Sequence, residues 1–200
     1  MIRKVRGHMS MFEAISREAK MIRAVTSTIA VAFMGLAFAS GALADAKEQS
    51  VMHSITINAP PDVVWAMVGD FGGIQRWSPG VESSRLVLRD RNETGAIRQL
   101  RRRNGTQVTE KLLNYDPGNR TMAYTYVDGA GAASDYYSVV TVKDAGGGKS
   151  IVEWKGTFKR LAYWTDNPPE GMDDKTVYGF IDNAYKNSLA NLKKVIEEGR

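Results

Sequence analysis

The sequence predicts an α+β domain: a seven-stranded, curved antiparallel sheet around one long C-terminal helix, with two short helices after the first strand. Three observations lead there. A first strand-like segment is followed by helical spacing. Six more strand-like segments then come in close succession, separated by short turn signals, which is the pattern of an antiparallel meander. The chain finishes with apolar residues at three-to-four spacing over about six turns, the stripe of a single amphipathic helix.

The first strand is Val51–Ile57, with Val51, His53, Ile55 and Ile57 on one face. Asn58-Ala59-Pro60-Pro61 stops it, and Pro61 with Asp62 suits a helix start. Val64, Trp65, Val68 and Phe71 recur at helical spacing from Pro61 to Asp70. Gly72-Gly73 is expected to break that helix, leaving Ile74–Trp77 as a second short one before Pro79. The six remaining strands are expected at Val81–Leu88, Ala96–Arg102, Thr106–Tyr115, Thr121–Val127, Asp135–Lys143 and Ser150–Lys159. Asp173-Asp174 places acidic residues at the start of the last helix. Its apolar stripe is Val177, Ile181, Ala184, Tyr185, Ser188, Leu192, Val195 and Ile196. Only that helix is long enough to cover a concave sheet, and the gap between the two is the natural place for a cavity.

The Asn104-Gly105 turn can close in two ways. A two-residue loop pairs Ile97 with Leu112 and turns Leu100 to solvent. A three-residue loop, Arg103-Asn104-Gly105 with Gly105 left-handed, sets Leu100 opposite Val108, Ala96 opposite Leu112 and Arg98 opposite Glu110. A one-residue slip swaps faces, so the hydrophobic pattern selects the second register. Its consequence is an inward-facing Arg98–Glu110 pair, because an isolated buried charge is very costly. The pair is either architectural or the charged floor of a cavity that orients a polar ligand group.

Alternation also turns Met122, Tyr124, Tyr126, Tyr136, Ser138, Val140, Val152, Trp154 and Phe158 inward. These residues either pack as core or line a cavity, and the three tyrosine hydroxyls each require a partner. The cavity candidates are Trp77, Arg98, Glu110, Tyr124, Tyr126, Tyr136, Trp154 and Tyr185. No Ser–His–Asp set, metal-ligand cluster or phosphate-cradling glycine loop is visible, so no catalytic residue, metal or cofactor is assigned. Glu110 is the one candidate acid or base, for a cyclase or hydratase reading. His53 has no carboxylate relay in sequence and reads as structural or solvent-facing.

The chain has 200 residues, 27 Lys/Arg against 22 Asp/Glu and no cysteine. Disulfides, thiol catalysis and cysteine-based metal sites are thereby excluded. The net charge of +5 suggests an acidic partner only until its location is considered. Val25–Leu43 is apolar, small and uncharged, Arg23 precedes it, and Ala42-Leu43-Ala44 follows the A-x-A cleavage pattern. That is the form of a secretory signal peptide, with cleavage expected after Ala44 and a periplasmic destination. Residues 1–44 are read as an extension plus leader, and 45–200 as the working domain. Six of the basic and two of the acidic residues belong to the leader, so the domain itself is close to neutral, 21 against 20. Its one basic run, Arg101-Arg102-Arg103, sits at a hairpin tip and reads as solvated surface or a docking patch for an acidic protein. Export separates it from nucleic acid, and no membrane contact is expected once the leader is removed.

The stretch Ser54–Pro79, S-I-T-I-N-A-P-P-D-V-V-W-A-M-V-G-D-F-G-G-I-Q-R-W-S-P, resembles the opening of the START-like, Bet v 1-like superfamily, also called SRPBCC or polyketide cyclase/dehydrase type. Gly95–Leu100, Val108–Leu112 and Val152–Phe158 fit the same pattern. The resemblance implies the helix-grip fold with a cavity for a small hydrophobic or amphipathic ligand. The segment V-E-W-K-G-T-F-K-R with Asp166–Asp174 is similar to MxaD, the periplasmic accessory protein of bacterial methanol oxidation. That implies a non-catalytic role beside a PQQ-dependent dehydrogenase and its cytochrome c. The chain departs from this subgroup by inserting Leu161–Thr165 ahead of Asn167-Pro168-Pro169. Tyr163, Trp164, Pro168 and Pro169 either anchor a partner or fold back over the cavity mouth.

Overall fold

The computed structural model describes residues 46–129 and 131–199. The expected leader, with its expected cleavage after Ala44, lies outside the described residues. No helix among the described residues is long and apolar enough to cross a membrane.

The elements follow the expected order: β1 (Gln49–Ile57), α1 (Pro61–Val68), a 3-10 helix (Phe71–Arg76), β2 (Val81–Leu88), β3 (Ile97–Arg102), β4 (Gln107–Asp116), β5 (Thr121–Gly129), β6 (Ser134–Gly146), β7 (Lys149–Lys159) and α2 (Asp174–Glu198). The strands form one antiparallel sheet in the order β1-β7-β6-β5-β4-β3-β2. Chain neighbours are sheet neighbours throughout β2–β7, and the first strand closes on the last. This is the helix-grip arrangement.

Alternation explains which faces are buried. In β7, Ser150, Val152, Trp154, Gly156 and Phe158 are buried while their neighbours are partly or fully exposed. The stripe of α2 buries Val177, Ile181, Tyr185, Ser188, Leu189 and Leu192 against this surface. Its ends are fixed locally. The Asp173 side chain accepts from the Thr176 amide at 2.9 Å, satisfying one of the free amides of the first turn. Gly199 supplies the left-handed residue past the last turn, with φ 67°.

Two expectations need correction. The first helix ends ahead of the glycine pair, its last residue Val68 followed by Gly69 as the cap. The 3-10 stretch begins at Phe71, and a kink at Gly73 (φ −101°, ψ 15°) parts it into two short helical pieces, so the expected break at the glycine pair is present. A Cβ at Gly73 would meet the Asp70 and Arg76 side chains at 2.4 Å. The glycine therefore admits the Asp70–Arg76 ion pair as well as breaking the helix. His53, in turn, has a carboxylate partner: its Nε2 lies 2.7 Å from Asp182 Oδ1 of α2. The two residues are 129 positions apart, so no local pattern could reveal the pair.

The β3–β4 hairpin adopts the three-residue loop. Arg98 pairs with Glu110 and Leu100 with Val108. The Arg102 amide donates to Thr106 O at 2.8 Å, and Gly105 is left-handed with φ 87°. The core runs from α1 and the 3-10 helix through the concave face of the sheet to α2.

Candidate functional site

Between α2 and the concave face of β3–β7 lies a cavity of about 370 Å³. That is within the range of small-molecule pockets, roughly 300–1,000 Å³. Seven of the eight cavity candidates line it: Arg98, Glu110, Tyr124, Tyr126, Tyr136, Trp154 and Tyr185. Trp77 does not. It is fully buried behind the wall, with its ring edge-on to Trp154 at 5.4 Å between centroids.

The floor is the cross-strand pair. Arg98 is 1% exposed and Glu110 4%. Arg98 Nε donates to Glu110 Oε2 at 2.5 Å, and Nη1 donates to the Phe71 carbonyl at 2.6 Å. The guanidinium also lies over the rings of Phe71 (4.1 Å) and Tyr124 (4.9 Å), which stabilise a cation through their π faces. Arg98 Nη2, equally buried, has no acceptor among the described residues. A buried donor without an acceptor costs about 1–3 kcal/mol, a cost that an acceptor on a bound molecule would remove.

The wall is a connected set of aromatic hydroxyls. Tyr185 Oη lies 2.7 Å from Tyr136 Oη and 2.8 Å from Ser138 Oγ. Trp154 Nε1 donates to Ser138 Oγ at 2.7 Å. The Tyr124 ring lies tilted against that of Tyr136, at 6.2 Å between centroids. The rings stack in two pairs, Trp154 on Tyr185 and Tyr126 on Tyr136, each at 4.0 Å between centroids. Burial raises the hydroxyl pKa of Tyr124 to about 12, with the Glu110 charge adding to the shift. Burial likewise holds Tyr126, Tyr136 and Tyr185 above the ordinary tyrosine range. The wall is therefore neutral at physiological pH and offers hydrogen bonds rather than charge.

Gly156 makes this wall possible. A Cβ there would sit 2.4 Å from Tyr185 Oη, so only glycine lets the α2 tyrosine reach the sheet. Sequence reasoning placed Gly156 in a motif but gave it no role, because the residue it admits is distant in sequence.

The rim carries residues that the sequence had not connected with the cavity. Pro79 and Gly80 before β2, Arg102, Arg103 and Asn104 at the hairpin tip, and Phe180, Asn183 and Asn187 of α2 all line it. Tyr163 and Trp164 do not. They pack edge to face at 5.4 Å and are 52% and 51% exposed. Arg160 clamps their loop, donating to the carbonyls of Ala162 (3.0 Å) and Thr165 (2.5 Å) and to Asp174 Oδ2 of α2 (3.0 Å). Pro168 is half-buried and Pro169 exposed in the same loop.

Residues 48–197 match the family described as polyketide cyclase / dehydrase and lipid transport. The chain is similar to the abscisic acid receptors PYL6 and PYL7 of Arabidopsis thaliana, at 24% and 28% identity over 144 residues. Each match covers 70% of this chain but 66% and 65% of the receptors, so the chain spans just under two thirds of their length. Among solved structures, the Zhui aromatase/cyclase from Streptomyces shares the fold with a TM-score of 0.64 at 17% identity, over 76% of this chain and 94% of that one. XoxI from Bacillus cereus has a TM-score of 0.60 at 24% identity, over 74% and 94%. At such identities these two likenesses speak for the fold alone.

Proposed function

We propose that this chain, which belongs to the polyketide cyclase / dehydrase and lipid transport family, binds a small, largely apolar molecule between α2 and the sheet without transforming it. The observation that carries this reading is the pairing of an aromatic cavity of about 370 Å³ with a buried guanidinium that has a donor to spare. Apolar surface supplies affinity and a few placed polar groups supply orientation. Here the orienting groups are Arg98, Glu110 and the hydroxyls of Tyr124, Tyr136 and Tyr185.

The cyclase or hydratase alternative assigns Glu110 as general base. A base must reach the proton it takes while keeping a free lone pair. Glu110 has one oxygen committed to Arg98, and the hydroxyls beside it are held neutral by burial. Among the described residues no histidine lines the cavity. Binding without chemistry asks less of these residues.

The test is native mass spectrometry of the protein purified from cells that make it. A non-covalent adduct of one small molecule per chain is expected. Protein that is isolated empty and does not take up an apolar dye would overturn the reading.

A second reading concerns location and partner. We infer export to the periplasm from the leader. The accessory role beside a PQQ-dependent alcohol dehydrogenase and its cytochrome c is supported by the Asp166–Asp174 resemblance. The exposed Tyr163–Trp164 pair, clamped by Arg160, is the surface offered to that partner. Pull-down from periplasm with the native chain and with Trp164→Ala tests it. Capture of the dehydrogenase or cytochrome that the substitution abolishes is expected; capture of neither contradicts the reading.

A further inference from the structure

The charges on the cavity do not balance. Its lining holds three guanidiniums, Arg98, Arg102 and Arg103, and one carboxylate, Glu110, which Arg98 already occupies. The two rim arginines are held by neutral oxygens only. Arg102 Nη2 donates to Tyr126 Oη at 3.0 Å, and its guanidinium rests 5.0 Å from the centroid of the Phe180 ring. It thus spans the mouth from the sheet to α2. Arg103 is tied to the opposite lip, its amide donating to Gly80 O at 3.0 Å and its Nε to Pro79 O at 2.8 Å. Among the described residues no carboxylate pairs with either. Their neighbour Arg101, on the outer face of the same strand, does have one: Nε lies 3.0 Å from Glu82 Oε2.

We propose that this rim is an anion site, where Arg102 and Arg103 take the acidic group of an amphipathic ligand. Its apolar body lies against Leu100, Trp154 and Ile181. The inference rests on the cavity being a ligand site, and adds the chemical class of the ligand and its polarity: acid at the mouth, apolar body inward. The basis is charge complementarity. A guanidinium bonded to a phenol or a carbonyl keeps its full charge, and a carboxylate, sulfonate or phosphate offers it two acceptors in the geometry of its fork. The arginine run that reads as solvated surface in sequence is divided by the hairpin register, with Arg101 paired outside and Arg102 and Arg103 at the mouth.

The experiment compares two dyes that differ in one group, anilinonaphthalene sulfonate and uncharged phenylnaphthylamine, each titrated by fluorescence. The sulfonate should bind about tenfold more tightly, the value of charge-assisted hydrogen bonds at a partly solvated site. In the Arg102→Gln/Arg103→Gln variant the ratio of the two affinities should fall to near one. In Arg101→Gln, which loses one positive charge outside the cavity, the ratio should stay within about twofold of its starting value. Equal affinities in the native chain would overturn the anion site while leaving the cavity reading standing. So would a ratio that survives the double substitution, or one that Arg101→Gln abolishes. Failure of both dyes to bind would remove the cavity reading, and the anion site with it.

Discussion

Arg98 and Arg102 sit four residues apart on the same face of β3, yet they are held in opposite ways. Arg98 is sealed in the interior and bonded to a carboxylate, a carbonyl and two ring faces. Arg102 is half-buried at the mouth and bonded to a phenol and one ring. The difference follows from depth. A guanidinium deep in a low-dielectric interior needs a counter-charge for the chain to fold, whereas one at a solvated rim does not. The same side chain is thus a structural necessity at one end of the cavity and a free binding group at the other.

Removing one partner of the deep pair should have the largest effect. Glu110→Leu leaves Arg98 buried without its carboxylate and should cost about 3–5 kcal/mol in urea unfolding. Arg98→Met/Glu110→Leu should recover most of that loss, since no charge is then left stranded. Singles that cost under about 1 kcal/mol would mean the pair is hydrated and the contrast with the rim is false.

Alkali should act on the deep end next. Tyr124 titrates near its ordinary value of 10.0 when unfolded but near 12 when folded. The folded state therefore holds the proton longer. The stability this provides is whole below pH 10 and is lost as pH rises towards 12, on the order of 3 kcal/mol for this residue. Tyr126, Tyr136 and Tyr185 act in the same direction. Denaturant midpoints measured across this range should fall with pH. A flat profile would show that the hydroxyls are not desolvated.

Gly156→Ala should cost about 2 kcal/mol, because the new methyl displaces Tyr185 Oη from Tyr136 and Ser138. Its thermal midpoint and the near-ultraviolet circular dichroism of the Trp154–Tyr185 stack should both change. At the rim, Arg102→Gln should shift stability by no more than about 0.5 kcal/mol. A large loss there would make Arg102 structural, like Arg98.

The fold was legible because its signals are local: alternation, turn residues, the Asp173 cap and a stripe at helical spacing. The Arg98–Glu110 pair was legible for the same reason, since one turn sets the register of both strands. What stayed hidden depends on contacts between distant segments. His53 meets Asp182, Gly156 admits Tyr185, and Trp77 lies behind the wall rather than in it, each through packing of α2 or of the 3-10 region on the sheet. The rim escaped notice because Pro79, Arg103 and Phe180 come together only when three separate elements meet.

The most direct test of the cavity as a binding site is an amide chemical-shift titration of the isotopically labelled protein with phenylnaphthylamine. The account predicts saturable shifts at one equivalent, confined to residues around the cavity such as Leu100, Tyr126, Trp154 and Ala184. Shifts scattered over the outer face of the sheet, with none at these four, would contradict it.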